Sequence, residues 1–455
     1  MRSILIIGAG KSTSSLVRFL LGESKNQNFK LIIADKNKVA AQNLAANHER
    51  ASAVALDIFQ ASEREQAIQK ADIVISMLPA RFHIEVAKDC VRFNKNMVTA
   101  SYVSKEMEAL DEDVKQKGLT FMNEIGVDPG VDHMSAMQVI DRIRSKGGKM
   151  LLFESFTGGL VAPESDDNLW NYKFTWNPRN VVVAGQGGAA EFIQEGQYKY
   201  IPYQRLFRRT EFLQIPKYGR FEGLANRNSL AYRSIYGLED IPTLYRGTLR
   251  RIGFSKAWNV FVQLGMTDDT YSMQNTENMS YRSFVNSFLP YSPTDSVELK
   301  LRLSLKIDQD DLIWDKLVEL DLFNSEKKIG IKDATPAQAL QKILEDKWTL
   351  NPEDKDMIVM YHKFGYELDG EKKQIDSTMV SIGEDQTYTA MAKTVGLPVG
   401  IATLKILNGE IDKPGVLRPI HPEVYNPILK ALEDYDIKFE ETERPYLGYN
   451  PDQLT

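Results

Sequence analysis

Apolar residues along the first third of the chain come in short runs, and each run stops at a polar or glycine-rich turn. Residues 3–7 end at Gly8-Ala9-Gly10, residues 30–34 at Asp35, and residues 53–56 at Asp57. Residues 73–76 pass into Met77-Leu78-Pro79, residues 96–99 into Ser101-Tyr102, and residues 119–122 into Asn123. These runs read as six strands, and stretches with helical period separate them, such as Leu16-Val17-Phe19-Leu20-Leu21 and residues 39–48. Strands alternating with helices at this spacing predict a parallel, doubly wound sheet with right-handed crossovers. Residues 119–122 look like the last strand of that sheet.

The pattern changes beyond about residue 140. Residues 151–157, 181–185, 299–307 and 357–368 look like strands, with helical segments at 314–322 and 337–344 among them. That mixture predicts an α+β domain. Residues 388–406 are small, apolar and helix-like, and Asn408-Gly409 closes them as a C-cap would. This helix is expected to return to the first domain. The expected division is therefore 1–132 for a dinucleotide-binding domain, 133–385 for an inserted substrate and dimerisation domain, and 386–455 for the returning segment. Residues 444–455, with two prolines and many polar groups, read as a loose tail.

Composition narrows the classes. A chain of 455 residues suggests about two to four domains, and its hydrophobic content of 43% with 26% charged residues is that of an ordinary globular protein. A net charge of −6 gives no footprint for nucleic acid or an anionic membrane. The single cysteine, Cys90, forbids an internal disulfide and fits a reducing compartment. Cys90 lies in an apolar helical pattern and reads as a core residue. No apolar run reaches the roughly 20 residues of a membrane span, and the first residues are too short for a signal peptide. A cytoplasmic protein is expected.

Candidate chemistry sits at the strand ends, where open α/β sheets bind ligands. Gly8-x-Gly10 joins a strand to a helix, so the backbone can turn tightly and approach a pyrophosphate at the helix N-terminus. Thr13 stands at the third fingerprint position, which leaves the motif incomplete, and Leu5 rules out a nucleotide-hydrolase loop built on Gly10-Lys11-Ser12. Asp35 can accept hydrogen bonds from both adenosine ribose hydroxyls and would repel a 2′-phosphate; Asp57 would lie near the adenine, or simply start a turn. The run Asn-Glu-Ile-Gly-Val-Asp-Pro-Gly-Val-Asp-His, residues 123–133, gathers three acids, an Asn and a His just past the sixth strand. With Tyr102 it falls on the nicotinamide side. Tyr102, Asp128 and His133 are each candidates for proton transfer, and the residues alone do not choose among them. Arginines recur at Asn226-Arg227 and in Arg246-Gly247-Thr248-Leu249-Arg250-Arg251, a side chain suited to carboxylates.

Several longer stretches are more specific. Met97 to Ser104, the 123–133 run, Gly158-Gly159-Leu160 with Ala162-Pro163-Glu164-Ser165, and Tyr172-Lys173-Phe174-Thr175-Trp176 resemble saccharopine dehydrogenase of the glutamate-forming type. Asn226-Arg227, residues 246–250 and Ala390 to Pro398 complete a resemblance that covers almost the whole chain. It implies an α/β, Rossmann-type doubly wound parallel sheet with an inserted α+β domain. The implied reaction is NAD(P)-dependent oxidative cleavage of saccharopine to glutamate and 2-aminoadipate 6-semialdehyde, by hydride transfer and imine hydrolysis. It implies cofactor contacts at Gly8, Gly10, Lys11, Ser12, Thr13, Asp35, Asp57, Ser76, Ala100, Ser101, Val127 and Thr175. Substrate contacts are implied at Ser101, Tyr102, Asp128, Arg227, Thr248, Leu249 and Arg250, with Asp128 and Tyr102 the catalytic candidates and no metal. Asp35 points to NAD, with NADP as the second option, and a homodimer is expected. Val161, Leu169-Trp170-Asn171, Thr157 and Lys11-Ser12 depart from the family pattern, and Thr157 replaces a frequent cysteine. The alternatives are a related imine-forming reductase, such as carboxynorspermidine dehydrogenase, and a non-catalytic dinucleotide-binding protein.

Overall fold

The computed structural model describes residues 1–446 and 448. It contains two compact units: Met1–Met150 with Tyr366–Glu371 and Met379–Thr442, and Leu151–Gly365 with Lys372–Thr378 and the described residues from Glu443 to Tyr446. The first unit is discontinuous in sequence. Its first boundary falls after Met150 rather than at residue 132, because the helix Val131–Ser145 belongs with it. Tyr425 from the returning segment donates to Asp141 of that helix at 2.8 Å.

Six strands of the first unit match the runs described above: β1 (Arg2–Ile7), β2 (Phe29–Asp35), β3 (Ala51–Ala55), β4 (Ile73–Ser76), β5 (Asn96–Thr99) and β6 (Thr120–Met122). Ile4 to Ile7 and Ile73 to Ile75 are completely buried, which is why they read as unbroken apolar runs rather than alternating ones. The order is β6-β5-β4-β1-β2-β3, and every pairing is parallel. Chain direction across the sheet reverses between β1 and β4, so the ligand crevice lies past their C-terminal ends. β6 is not the last strand. Gly415–Leu417 pairs parallel beside it and extends the sheet to seven.

The returning helix, Ala390–Leu407, is long and apolar enough by length and composition to cross a membrane, a feature the run-length reading missed; 72% of it is buried inside the protein. Glycines set its distance from the helix Ser14–Glu23. A Cβ on Gly396 would come within 2.7 Å of the Leu16 amide nitrogen, and one on Gly400 within 2.6 Å of the Phe19 ring. Cys90 is fully buried in the first unit's core, and burial pushes its thiol far above the ordinary range.

The second unit is built on a nine-stranded sheet. Its main path runs Glu211–Ile215, Gly219–Ala225, Thr243–Arg251, Lys149–Val161, Asp356–Leu368, Glu371–Ile382 and Glu440–Pro445, with the hairpin Ala190–Gln194 and Gln197–Ile201 alongside. Two expectations fail here. Residues 181–185 are not a strand: Pro178–Val182 is a helix, started by Pro178 and by the Asn177 side chain accepting from the Arg179 amide at 3.0 Å. Residues 299–307 belong to the helix Val297–Leu305, capped by Ser296 on the Leu299 amide at 3.2 Å and closed by Lys306 at φ 55°. Of the expected loose tail, Arg444 and Pro445 end a strand, Glu440–Pro445, and residues 447 and 449–455 lie outside the described residues.

Candidate active site

The first turn is shaped for close approach. Gly8 has φ +113°, and a Cβ there would meet the Met77 carbonyl oxygen at 2.7 Å; Gly10 faces open space and precedes the 3-10 turn Lys11–Thr13 that leads into the helix Ser14–Glu23. Thr13 is buried, and its hydroxyl donates to the Gly8 carbonyl at 3.3 Å, so it braces the turn from below. Asp35, at the end of β2, accepts from the Ala9 amide through Oδ2 at 2.7 Å and from the Asn37 amide through Oδ1 at 2.7 Å. Those bonds fix the carboxylate beside the glycine turn and leave lone pairs for ribose hydroxyls. Asp57 accepts from the Phe59 amide at 3.1 Å and pairs with Lys36 at 3.1 Å, which together hold its carboxyl below the usual range. These residues fit a dinucleotide: a turn with no room for a side chain, amides at a helix start, and a carboxylate at the second strand end.

The 123–133 run resolves into a buried scaffold with one outlet. Every residue in it is buried except Asp128, which is partly exposed. Glu124, at φ 53°, is 2% exposed; it binds His133 Nε2 through Oε2 at 2.9 Å, and Arg418 Nε and the Val103 amide through Oε1, each at 3.0 Å. Burial raises the Glu124 carboxyl, but these partners outweigh it and hold the group below its ordinary range. Asp132 accepts from the Gly130 amide at 2.6 Å. The loop closes through Gly126 N to Pro129 O and Val131 N to Gly126 O, both 2.9 Å, around a cis Asp128-Pro129 bond. Gly126 packs so tightly that a Cβ would lie 2.9 Å from the Ala100 Cβ, and Val127 is likewise buried. His133 is wholly enclosed and held by Glu124, so it serves the scaffold and is withdrawn as a base candidate.

Asp128 and Tyr102 do come together. The Tyr102 hydroxyl, on a ring that is 51% exposed, donates to Asp128 Oδ1 at 3.3 Å. Next to Tyr102, the Ser101 hydroxyl lies 2.7 Å from Nε2 of His83, and the other ring nitrogen of His83 lies 2.8 Å from the Ser76 hydroxyl. Sequence reasoning missed His83. A single histidine four residues past Pro79 carries no spacing signal; only the fold shows that it links two strand ends.

In the second unit, Thr248, Leu249 and Arg250 lie on the strand Thr243–Arg251. The Thr248 hydroxyl donates to Asn226 Oδ1 at 2.8 Å, and Leu249 is fully buried, a packing residue whose side chain points into the core. The Arg250 guanidinium donates to the Leu249 carbonyl at 2.8 Å and stacks on Tyr172 at 5.1 Å and Phe254 at 5.3 Å, while its Nε has no partner. The buried hydroxyls of Tyr172, Thr157 and Thr175 also have none, and burial pushes the Tyr172 phenol up. Buried polar groups are nearly always satisfied, so the unpaired Arg250 Nε beside Tyr172, whose hydroxyl is also unpaired, would suit an anionic, hydrogen-bonding ligand. Arg227 is exposed, and its Nη1 lies 3.2 Å from where a Cβ on Gly187 would stand.

Fold and strand-end chemistry define a dinucleotide-dependent oxidoreductase. Residues 4–122 match the family model of the saccharopine dehydrogenase NADP binding domain, and residues 126–437 match that of the saccharopine dehydrogenase C-terminal domain. The chain belongs to the saccharopine dehydrogenase family. It is 32% identical over 448 residues to saccharopine dehydrogenase [NADP(+), L-glutamate-forming] of Saccharomyces cerevisiae, covering 97% of this chain and 99% of that one. The solved structure of the Saccharomyces cerevisiae saccharopine dehydrogenase (L-Glu forming) is 32% identical and superposes with a TM-score of 0.88, covering 98% of this chain and all of that one. The chain is also 33% identical to the mitochondrial alpha-aminoadipic semialdehyde synthase of Rattus norvegicus, over 96% of its own length but only 47% of that relative's.

Proposed function

We propose that this protein catalyses the NAD(P)-dependent oxidative cleavage of saccharopine to glutamate and 2-aminoadipate 6-semialdehyde. The observation that carries this reading is full-length membership of the family together with a Tyr102–Asp128 hydrogen bond at the end of the sheet. The Gly8–Gly10 turn and Asp35 would hold a dinucleotide, which would supply the acceptor for hydride from the lysine-side carbon next to the substrate nitrogen. The resulting imine adds water and breaks its carbon–nitrogen bond, so the chain must remove the amine proton, take both protons of the added water, one as it attacks and one as the carbonyl forms, and return protons to the departing glutamate nitrogen. Asp128 is the proposed base or proton holder, with the Tyr102 phenol as its hydrogen-bonded partner. Microscopic assignment between two coupled groups rests on the pair. Arg227 and Arg250 are proposed for the substrate's carboxylates, with the Thr248 hydroxyl beside them.

NAD is proposed as the preferred cofactor. Asp35 supports it, since a carboxylate anchored by two amides at the end of the second strand would repel a 2′-phosphate on a ribose bound there. The yeast relative's name points to NADP. A homodimer is also proposed, on the family resemblance alone; sedimentation at a single monomeric mass would exclude it. The decisive experiment mixes the purified protein with saccharopine and either NAD or NADP and follows nicotinamide reduction by absorbance. Turnover faster with NAD supports both readings, and turnover faster with NADP overturns the cofactor preference alone. Absence of turnover with either, against turnover of another secondary amine such as carboxynorspermidine, replaces the substrate. Tight dinucleotide binding with no turnover of any of these would leave a binding protein.

A further inference from the structure

We propose that His83 is a positioning residue of this reaction: its ring bridges the Ser76 and Ser101 hydroxyls and sets which hydrogen-bonding face Ser101 turns toward the ligand. The proposal rests on the reading above for its kinetic arm, and on the geometry alone for its spectroscopic one.

The three side chains form a line from the interior outward. Ser76, at the C-terminal end of β4, is completely buried, and His83, at the start of the helix His83–Arg92, is 4% exposed. Ser101, just past β5, is partly exposed and adjoins Tyr102. Distances are 2.8 Å from Nδ1 to the Ser76 hydroxyl and 2.7 Å from Nε2 to the Ser101 hydroxyl. The Thr99 hydroxyl lies 3.5 Å from Nε2 and accepts from the Ser101 amide at 3.3 Å, so the Ser101 backbone is tied to the same cluster. Burial holds the imidazole down to about 4, which leaves the ring neutral near pH 7.

A neutral imidazole has one N–H and one lone pair, and a hydroxyl can both donate and accept. Two arrangements therefore satisfy all three groups. In one, Ser76 donates to Nδ1 and Nε2–H donates to Ser101, so the Ser101 proton is left to point outward as a donor. In the other, Ser101 donates to Nε2 and Nδ1–H donates to Ser76, so Ser101 offers only lone pairs outward. Both arrangements are neutral and hold the same protons; they differ in which ring nitrogen carries the proton and in how the two hydroxyls are turned. Ser101 thereby presents either polarity to the group beyond it. That suits a reaction whose centre changes from a secondary amine, which has a proton to give, to an imine, which has only a lone pair, and then to a bound water.

The substitutions follow from the ring geometry. His83→Leu removes both ring nitrogens, whereas the side-chain amide of His83→Gln can reach the Nε2 position and turn either its oxygen or its NH2 toward Ser101. Expected are a fall in kcat of about tenfold for His83→Leu, the worth of one neutral hydrogen bond, and substantial recovery for His83→Gln. Ser101→Ala should slow turnover comparably. The double variant His83→Leu with Ser101→Ala should be no slower than the slower single, since the two act as one unit. Equal rates for His83→Leu and His83→Gln, or losses that multiply in the double variant, would overturn the proposal. The second measurement needs no turnover. With ring-15N-labelled histidine, the His83 signals are assigned among the five histidines of the chain by their loss in His83→Gln. They should be those of a neutral ring and should move in Ser101→Ala. A charged ring, or signals unmoved by Ser101→Ala, refutes the bridge whether or not saccharopine is the substrate. A wild-type chain that fails to turn over saccharopine while showing the shifted signals refutes only the substrate.

Discussion

Replacing Glu124 by alanine should cost the first unit about 3–4 kcal/mol. The carboxylate is 2% exposed and holds three donors, His133 Nε2 at 2.9 Å and Arg418 Nε and the Val103 amide at 3.0 Å. Hydrogen bonds to a charged group are each worth roughly 1.5–3 kcal/mol. Their simple sum would overstate the loss, because the Arg418 side chain is 22% exposed and can rehydrate. His133 is enclosed and cannot, which keeps the figure near the roughly 3–5 kcal/mol typical of a buried pair that loses one partner. Glu124→Gln keeps the volume and an acceptor oxygen and should lose about half as much. The tryptophans offer a clean assay. All five, Trp170, Trp176, Trp258, Trp314 and Trp348, belong to the second unit, whereas far-ultraviolet circular dichroism sees both units. In urea, the alanine variant should lower the midpoint of the dichroism change while the fluorescence midpoint stays closer to wild type. A loss below about 1 kcal/mol would refute the scaffold role, and a shift confined to fluorescence would refute its location. Acid should act in the same direction. With its carboxyl held below the ordinary range, Glu124 stabilises fully above the unfolded value and loses that contribution as pH falls through the folded one.

Four shorter predictions accompany it. His83, held down to about 4 against an ordinary 6.5, makes the unfolded chain the stronger proton binder between those values; stability should be full above about pH 6.5 and fall by about 2 kcal/mol by pH 5, a slope that thermal melts should find reduced in His83→Leu. Asp35→Arg should raise the NADP-to-NAD ratio of kcat/KM by at least about tenfold, since a like charge gives way to a phosphate partner; an unchanged ratio would place the ribose elsewhere. Gly8→Ala should abolish dinucleotide binding measured by calorimetry, because its Cβ would lie 2.7 Å from the Met77 carbonyl at φ +113°. Arg227→Met should raise KM for saccharopine about tenfold or more with little change in kcat or melting temperature, as expected of an exposed carboxylate partner; the same KM in both proteins would remove this arginine from the substrate.

Legibility followed burial. The parallel sheet was readable because β1 and β4 are enclosed on both faces, so their sequences run apolar without interruption. Residues 181–185 and 299–307 were misread for a related reason: a short apolar stretch fits a strand or a helix equally well. Caps decided the matter, Asn177 with Pro178 in one case and Ser296 with Lys306 in the other. Some strands did carry a written cue. Asp369-Gly370, both at positive φ, turns Asp356–Leu368 into Glu371–Ile382, and Glu195-Gly196 does the same between Ala190–Gln194 and Gln197–Ile201. Gly415–Leu417 carried none, being three residues whose only distinction is a neighbour in space. His83 belongs with it, since its meaning comes from two hydroxyls seven and eighteen positions away in sequence.

The 123–133 run shows why a cluster of polar letters is a poor guide to which letter reacts. His133 was a candidate beside Asp128 and Tyr102, yet it is buried with Glu124 and Asp132; Glu124 holds the His133 ring, and Asp132 accepts from the Gly130 amide. Enclosing charged groups is costly unless each is paired, and here the pairing has a direction. Glu124 joins the Val103 amide, beside Tyr102, to Arg418, beyond the strand Gly415–Leu417, and its own amide donates to the Ser101 carbonyl at 3.0 Å. Two strand-end loops are thus locked in register by a buried residue. The lock leaves Tyr102 and Asp128 projecting within 3.3 Å of each other. Those are the carboxylate and the phenol proposed for proton transfer, and loosening Glu124 should be felt in kcat before either of them is touched.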